Sequence, residues 1–117
     1  MGTPALPVLA GTDRSRFDLL DVALFVRAAR LGNVSAAGRE FGVSAAVASA
    51  RLAALERQLD VRLLHRTTRR VSLTQEGEAF IAHAEALLDA ADAARDLSPV
   101  ERERAAELWR RRQGVAA

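Results

Sequence analysis

The chain has no cysteine anywhere in its 117 residues. Disulfides, thiolate metal sites and a cysteine nucleophile are excluded together, and a reducing compartment fits the absence. Tyrosine and lysine are missing too, and only 4% of the residues are aromatic although half are apolar. A core must therefore be built from Leu, Val and Ala carried on helices. No apolar run approaches the ~18 residues of a membrane span. The first residues, MGTPALPVLAGTDRSR, lack the basic start and long apolar block of a secretory signal; a disordered arm over 1–16 and a cytoplasmic chain are expected. No nucleophile elbow, phosphate loop or paired-carboxylate motif occurs, so no enzyme activity is expected. His65 and His83 stand far apart without a cysteine or a carboxylate cluster beside them. They are read as structural, and neither a metal nor another cofactor is expected.

What the chain does have is a division of charge. Its net charge of +2 conceals residues 39–70, where seven Arg face only Glu40, Glu56 and Asp60, and residues 75–97, where Arg95 stands against six carboxylates. The first block attracts a polyanion and the second is repelled by it. The basic block also holds the most organised stretch, SAAGREFGVSAAVASARLAALERQL from Ser35 to Leu59. It reads as two short helices joined by a tight turn: Ser35 caps the first, Gly42 ends it in the left-handed conformation, and Ser44 caps the second. Ala36, Ala37 and Gly38 let the two backbones approach. In the second helix Ala48, Leu52, Leu55 and Leu59 share one face, while Ala46, Ala50, Ala53 and Arg57 lie opposite and stay free to touch something else. This is the logic of a helix-turn-helix.

A supporting helix precedes it, from Asp18 with Asp21 in its first turn, through the stripe Leu20, Leu24, Ala28 and Leu31, to Gly32. After it, DVRLLHRTTRRVSL predicts a short basic hairpin with Thr67 to Arg70 at its turn, a wing. Thr74 caps a helix over 75–97 whose stripe of Phe80, Ile81, Ala84, Leu87, Leu88 and Ala91 is expected to be exposed and to pair with a second subunit. Ser98-Pro99-Val100-Glu101 then spells a capping box for a last helix, where Trp109 and Leu108 are candidates to anchor the tail against the domain or a second subunit. The expected fold is mainly α: a winged helix-turn-helix of three core helices and a two-stranded wing over 17–74, a linker helix over 75–97, and a C-terminal helical tail over 98–117.

Leu24-Phe25-Val26, the AAGREFGVS block, Leu55-Glu56 and above all the ordered run VRLLHRTTRRVSLTQEG resemble the DNA-binding domain and linker helix of LysR-type transcriptional regulators. The resemblance covers residues 17 to about 95. It implies a recognition helix in the major groove, a wing along the backbone or minor groove, and linker helices paired into a dimer on a partly palindromic site. The family continues into an effector-binding domain of two α/β lobes where this chain has SPVERERAAELWRRRQGVAA, so a chain without that sensor is expected. Family members often carry polar or Pro residues at the start of the recognition helix and a basic residue further in, where Ala45, Ala46 and Ala50 stand here. Asp60 replaces a frequent Gly and is expected to hold the same left-handed turn.

The expected function is sequence-specific regulation of transcription as a homodimer on double-stranded DNA, with RNA polymerase as a further partner. The alternative is an interaction protein that forms inactive mixed dimers with full-length relatives. At the DNA, Ala45, Ala46 and Ala50 offer methyl groups but no hydrogen bonds, Ser49 is the candidate for a base or phosphate, and Val47 is open between thymine contact and internal packing. Arg51 is open between phosphate contact and plain solvation. Arg66, Arg69 and Arg70 are the main cationic candidates, with Thr67 and Thr68 as phosphate donors. Ser35 and Arg39 are open between backbone contact and local roles.

Overall fold

The computed structural model describes residues 18–67 and 70–114. The arm expected over 1–16, together with Thr68 and Arg69 of the predicted wing turn, lies outside the described residues. Helix α1 spans Leu19–Leu31; the Asp18 carboxylate accepts from the Leu20 N–H at 2.8 Å, and Gly32 closes the other end. Helix α2 spans Val34–Glu40, and its cap is Asn33, not Ser35. The Asn33 side chain accepts from the Ala36 N–H at 2.9 Å, which makes Ser35 the second residue of the helix. Gly42 turns the chain at φ 69°, and Ser44 opens α3, Ala45–Leu59, by accepting from the Val47 N–H at 3.1 Å. Asp60 ends α3 with φ 57°, the left-handed turn expected of it.

The wing follows. Strand β1, Leu64–Arg66, pairs antiparallel with β2, Val71–Leu73, in the register Leu64 with Leu73, His65 with Ser72 and Arg66 with Val71. Across the turn the Thr67 N–H donates to the Arg70 carbonyl at 2.8 Å. Helix α4, Gln75–Arg95, opens on Thr74, whose hydroxyl accepts from the Gly77 N–H and donates to the Arg62 carbonyl at 2.6 Å. Helix α5, Pro99–Arg112, opens on the capping box of Ser98 and Glu101. No helix among the described residues is long and apolar enough to cross a membrane.

The core joins Val22, Leu24, Phe25 and Ala28 of α1, Ala37 of α2, Ala48, Leu52 and Leu55 of α3, Leu63 and Leu64 at the wing base, and Ala84 of α4. Leu31, expected in the core stripe, is 42% exposed; it is the last residue of α1, beyond the neighbours that cover the helix. Where α2 meets α3, a Cβ on Gly38 would stand 2.9 Å from the Val43 carbonyl oxygen, so the expected demand for small residues is real there. The tightest approach is elsewhere: a Cβ on Gly77 would lie 2.1 Å from the Leu63 carbonyl oxygen. Both partners are backbone and cannot step aside. Gly77→Ala is therefore expected to cost at least about 2 kcal/mol and to lower the melting temperature by about 10 °C; a thermal melt that matches the parent would show that α4 can slide on the wing base.

The apolar stripe of α4 is not exposed as expected. Ala84 is completely buried, and Phe80, Ile81 and Leu88 pack on the chain's own core, with the Phe80 ring 5.5 Å from that of Phe25. Leu87 remains 38% exposed, and Ala91 is half-buried beside Leu19, Leu20 and Leu88. A helix stripe reports that a face will be covered, not by what; here α1 lies across α4 and covers most of it. Exposed α4 surface is left at Ala79, Ala82, Ala86, Leu87, Ala90 and Ala93. In α5, Trp109 is 62% exposed and Leu108 and Val100 are exposed with it. Of the two anchorings open to Trp109, the one against the chain's own domain does not form.

Candidate nucleic-acid interface

The first two turns of α3 present an apolar surface. Ala45, Ala46, Val47 and Ala50 are exposed, while Ser49 is half-buried. Beside them the chain folds a concave surface. The Val71 N–H donates to the Gly32 carbonyl at 3.2 Å, which straps the start of β2 to the turn between α1 and α2. A cleft of about 240 Å³ results, lined by Gly32, Asn33, Val34, Ser35, Ser49, Arg66, Thr67, Arg70 and Val71. It gathers Ser35, Ser49, Arg66, Thr67 and Arg70, five residues singled out in the sequence from three different segments. Arg39 is exposed in the last turn of α2 and does not line the cleft. Thr68 and Arg69 are outside the described residues.

Two arginines in the basic block are partly committed inside the chain. Arg51 holds Asp21 Oδ1 with Nη1 at 2.9 Å and lies 3.7 Å from Asp18 Oδ2. The hydrogen bond to Asp21 is the main reason its guanidinium keeps its proton more firmly than a free arginine. This is a third fate beside phosphate contact and solvation: Arg51 neutralises Asp21, which is only 5% exposed, and ties α3 to the start of α1. Arg66 donates from Nη2 to Glu56 Oε1 at 3.3 Å and is left 29% exposed at its side chain. Held from one side and open on the other, it keeps a preset direction.

Glu56 is the residue that sequence reasoning missed. It is nearly buried in α3, and its Oε2 accepts from the Leu63 N–H at 2.8 Å and the Leu64 N–H at 3.3 Å. One carboxylate thus satisfies two backbone donors at the wing base and aims a wing cation. The only signal was its place in the Leu55-Glu56 pair of the resemblance; composition treats it as one more surface acid. Exposed ion pairs also link α1 to its neighbours: Arg27 holds Glu40 through two hydrogen bonds of 2.7 and 3.0 Å, and Arg30 pairs with Glu85. The Arg27 bonds hold the Glu40 carboxyl below the usual carboxylate range.

Once these pairs are made, Arg39, Arg57, Arg62 and Arg70 have no ion-pair partner among the described residues. All four are exposed and belong to the basic block of residues 39–70. The turn that carries Arg70 is closed by Thr67, whose Oγ1 accepts from the Arg70 N–H at 3.0 Å and donates to the Arg70 carbonyl at 3.1 Å. Thr67 therefore serves the turn whatever else it touches. The arrangement offers an exposed apolar helix end and a polar cleft lined by one braced cation, Arg66, and one without an ion-pair partner among the described residues, Arg70.

Residues 19–78 match the family described as bacterial regulatory helix-turn-helix protein, lysR family. The chain is 47% identical over 70 residues to the HTH-type transcriptional regulator DmlR of Escherichia coli strain K12, an alignment that covers 60% of this chain and 23% of that protein. It is 40% identical over 78 residues to the probable HTH-type transcriptional regulator LtrA of Klebsiella pneumoniae, covering 67% of this chain and 25% of that one. Among solved structures, the CbnR_DBD–DNA complex superposes with a TM-score of 0.67 at 33% identity over 78% of this chain and 99% of that one. The chain spans about a quarter of the length of the curated relatives it matches.

Proposed function

The chain belongs to the lysR family of bacterial regulatory helix-turn-helix proteins, and from that membership we propose that it is a sequence-specific DNA-binding transcriptional regulator, dimeric on a partly palindromic operator in the cytoplasm. The N-terminal half of α3 enters the major groove, the cleft beside it takes the sugar-phosphate backbone, and Arg66 and Arg70 grip the flank of the site. Regulation is by occupancy, which blocks or recruits RNA polymerase, and involves no turnover of a substrate. The observation that carries this reading is the cleft that brings Ser35, Ser49, Arg66, Thr67 and Arg70 together beside the exposed end of α3. The charge division supports it, since the acidic block lies in α4 and the basic block in α2, α3 and the wing.

Hydroxyl-radical footprinting tests it on a duplex enriched from a random pool. Two protected patches about one helical turn, ~34 Å, apart are expected; uniform protection that follows no sequence would contradict it. The dimer is proposed to form through the exposed side of α4, with Leu87 at its edge. Of the residues expected at the interface, Ala84 is completely buried in the chain's own core, and Phe80, Ile81 and Leu88 are partly covered by it. Leu87→Glu places a charge on that surface without touching the core, and sedimentation is expected to show monomers that bind half-sites weakly. A variant that stays dimeric moves the interface to α5.

A further inference from the structure

The surface that α3 turns away from the core is made of methyl groups. Ala45, Ala46, Val47 and Ala50 are exposed there, and the polar groups nearby sit at its margins. Ser44 Oγ accepts from the Val47 N–H. Arg51 is paired with Asp21 and Asp18, and half-buried Ser49 belongs to the cleft with Arg66, Thr67 and Arg70. Arg57, exposed near the other end of α3, lies beyond the N-terminal residues with which a recognition helix meets base edges. Reading guanine takes Arg or Lys, adenine takes Asn or Gln, and cytosine takes a carboxylate. Positions 45, 46, 47 and 50 carry none of these.

A methyl surface has one counterpart in the major groove, the 5-methyl group of thymine. Resting on the regulator reading above, we propose that this chain recognises its operator by packing thymine 5-methyl groups against Ala45, Ala46, Val47 and Ala50. Hydrogen-bond readout is absent from that surface, and the wing arginines supply affinity without choosing bases. The energetics suit a small module. Each methyl taken out of water against an apolar side chain is worth about a fourfold change in affinity, so three of them together distinguish one half-site by well over tenfold, about sixtyfold if they are independent, and the second half-site of the dimer multiplies that preference. Short alanines also bring the α3 backbone closer to the groove floor than Gln or Arg would, which makes the fit depend on groove shape.

The test uses the full chain and a duplex enriched by it from a random pool. In that duplex each enriched thymine is replaced by deoxyuridine, which keeps every hydrogen-bonding atom and removes only the methyl. In a second series the T·A pair becomes C·G, with cytosine either unmodified or 5-methylated. The expected result is a loss of about fourfold for each deoxyuridine at a contacted position, no loss at thymines outside the enriched positions, and tighter binding to 5-methylcytosine than to cytosine. Deoxyuridine duplexes bound as tightly as the thymine duplex, or 5-methylcytosine bound no better than cytosine, would overturn methyl recognition while leaving the regulator reading intact. A pool that yields no enriched sequence would overturn both.

Discussion

Alanine at both Arg66 and Arg70 is expected to lower affinity for the operator by at least tenfold at physiological salt, and to make the slope of log affinity against log salt shallower by about four, two for each protomer of the dimer. Each guanidinium that meets a phosphate releases about one counterion, so the slope counts the contacts directly. Arg70 contributes from an exposed turn where no ion-pair partner among the described residues competes for it. Arg66 contributes from a direction fixed by Glu56, so less side-chain freedom is lost when it meets the phosphate. Arg104 on α5, exposed and far along the chain from the cleft, is the control: its replacement should leave the slope unchanged. Circular dichroism on the double variant separates lost contact from lost fold. If affinity and slope both stay at the parent values, the wing does not hold DNA.

The second large effect is structural in origin and functional in outcome. Glu56→Ala strips the Leu63 and Leu64 N–H groups of their acceptor, and both residues are buried. Two stranded donors cost about 1–3 kcal/mol each, a large share of the roughly 5–15 kcal/mol that holds a typical domain together. The melting temperature should fall by more than 10 °C. Where the protein is still folded, the wing base should open, amide exchange at Leu63 and Leu64 should accelerate, and DNA affinity should fall because Arg66 has lost its brace. Glu56→Gln separates the parts. It keeps an acceptor for the backbone but gives up the charge that attracts Arg66, so it should recover more of the stability than of the affinity. An alanine variant that melts like the parent would remove Glu56 from the wing.

These effects differ in how far they could be read in advance. The hairpin, the left-handed turn at Gly42, and the caps Ser44, Thr74 and Ser98 were legible because each is a local signal whose cause lies within a few residues. The left-handed turn at Asp60 was instead expected from the family resemblance, where Gly is frequent. The first cap of the helix pair was misplaced because Asn33 and Ser35 are equally capable acceptors. Only the extended backbone of Asn33, at φ −156° and ψ 119°, decides between them. The α4 stripe was legible as a face that needs cover, but Phe80 meets Phe25 from 55 positions away, and spacing along one helix carries no word of that encounter. The same holds for charge. Arg51 and Arg70 look alike as letters, yet one is paired with Asp21, 30 residues earlier, and the other stands at the rim of the cleft. The candidate site was thus legible as a set of residues, and its division into residues that face outward and residues that hold them in place was not.

The proposed regulator discriminates among DNA sequences and does not merely coat them. Fluorescence anisotropy tests it most directly: the purified chain is titrated against a duplex from the region upstream of its own gene and against a scrambled duplex of equal composition, at several salt concentrations. The expected result is a preference of at least a hundredfold for the upstream duplex that persists at physiological salt, since specific binding exceeds nonspecific binding by about 10³ or more in established cases. Weak binding, equal for the two duplexes and falling steeply with salt, would leave only the electrostatic attraction of the basic block and would contradict that discrimination.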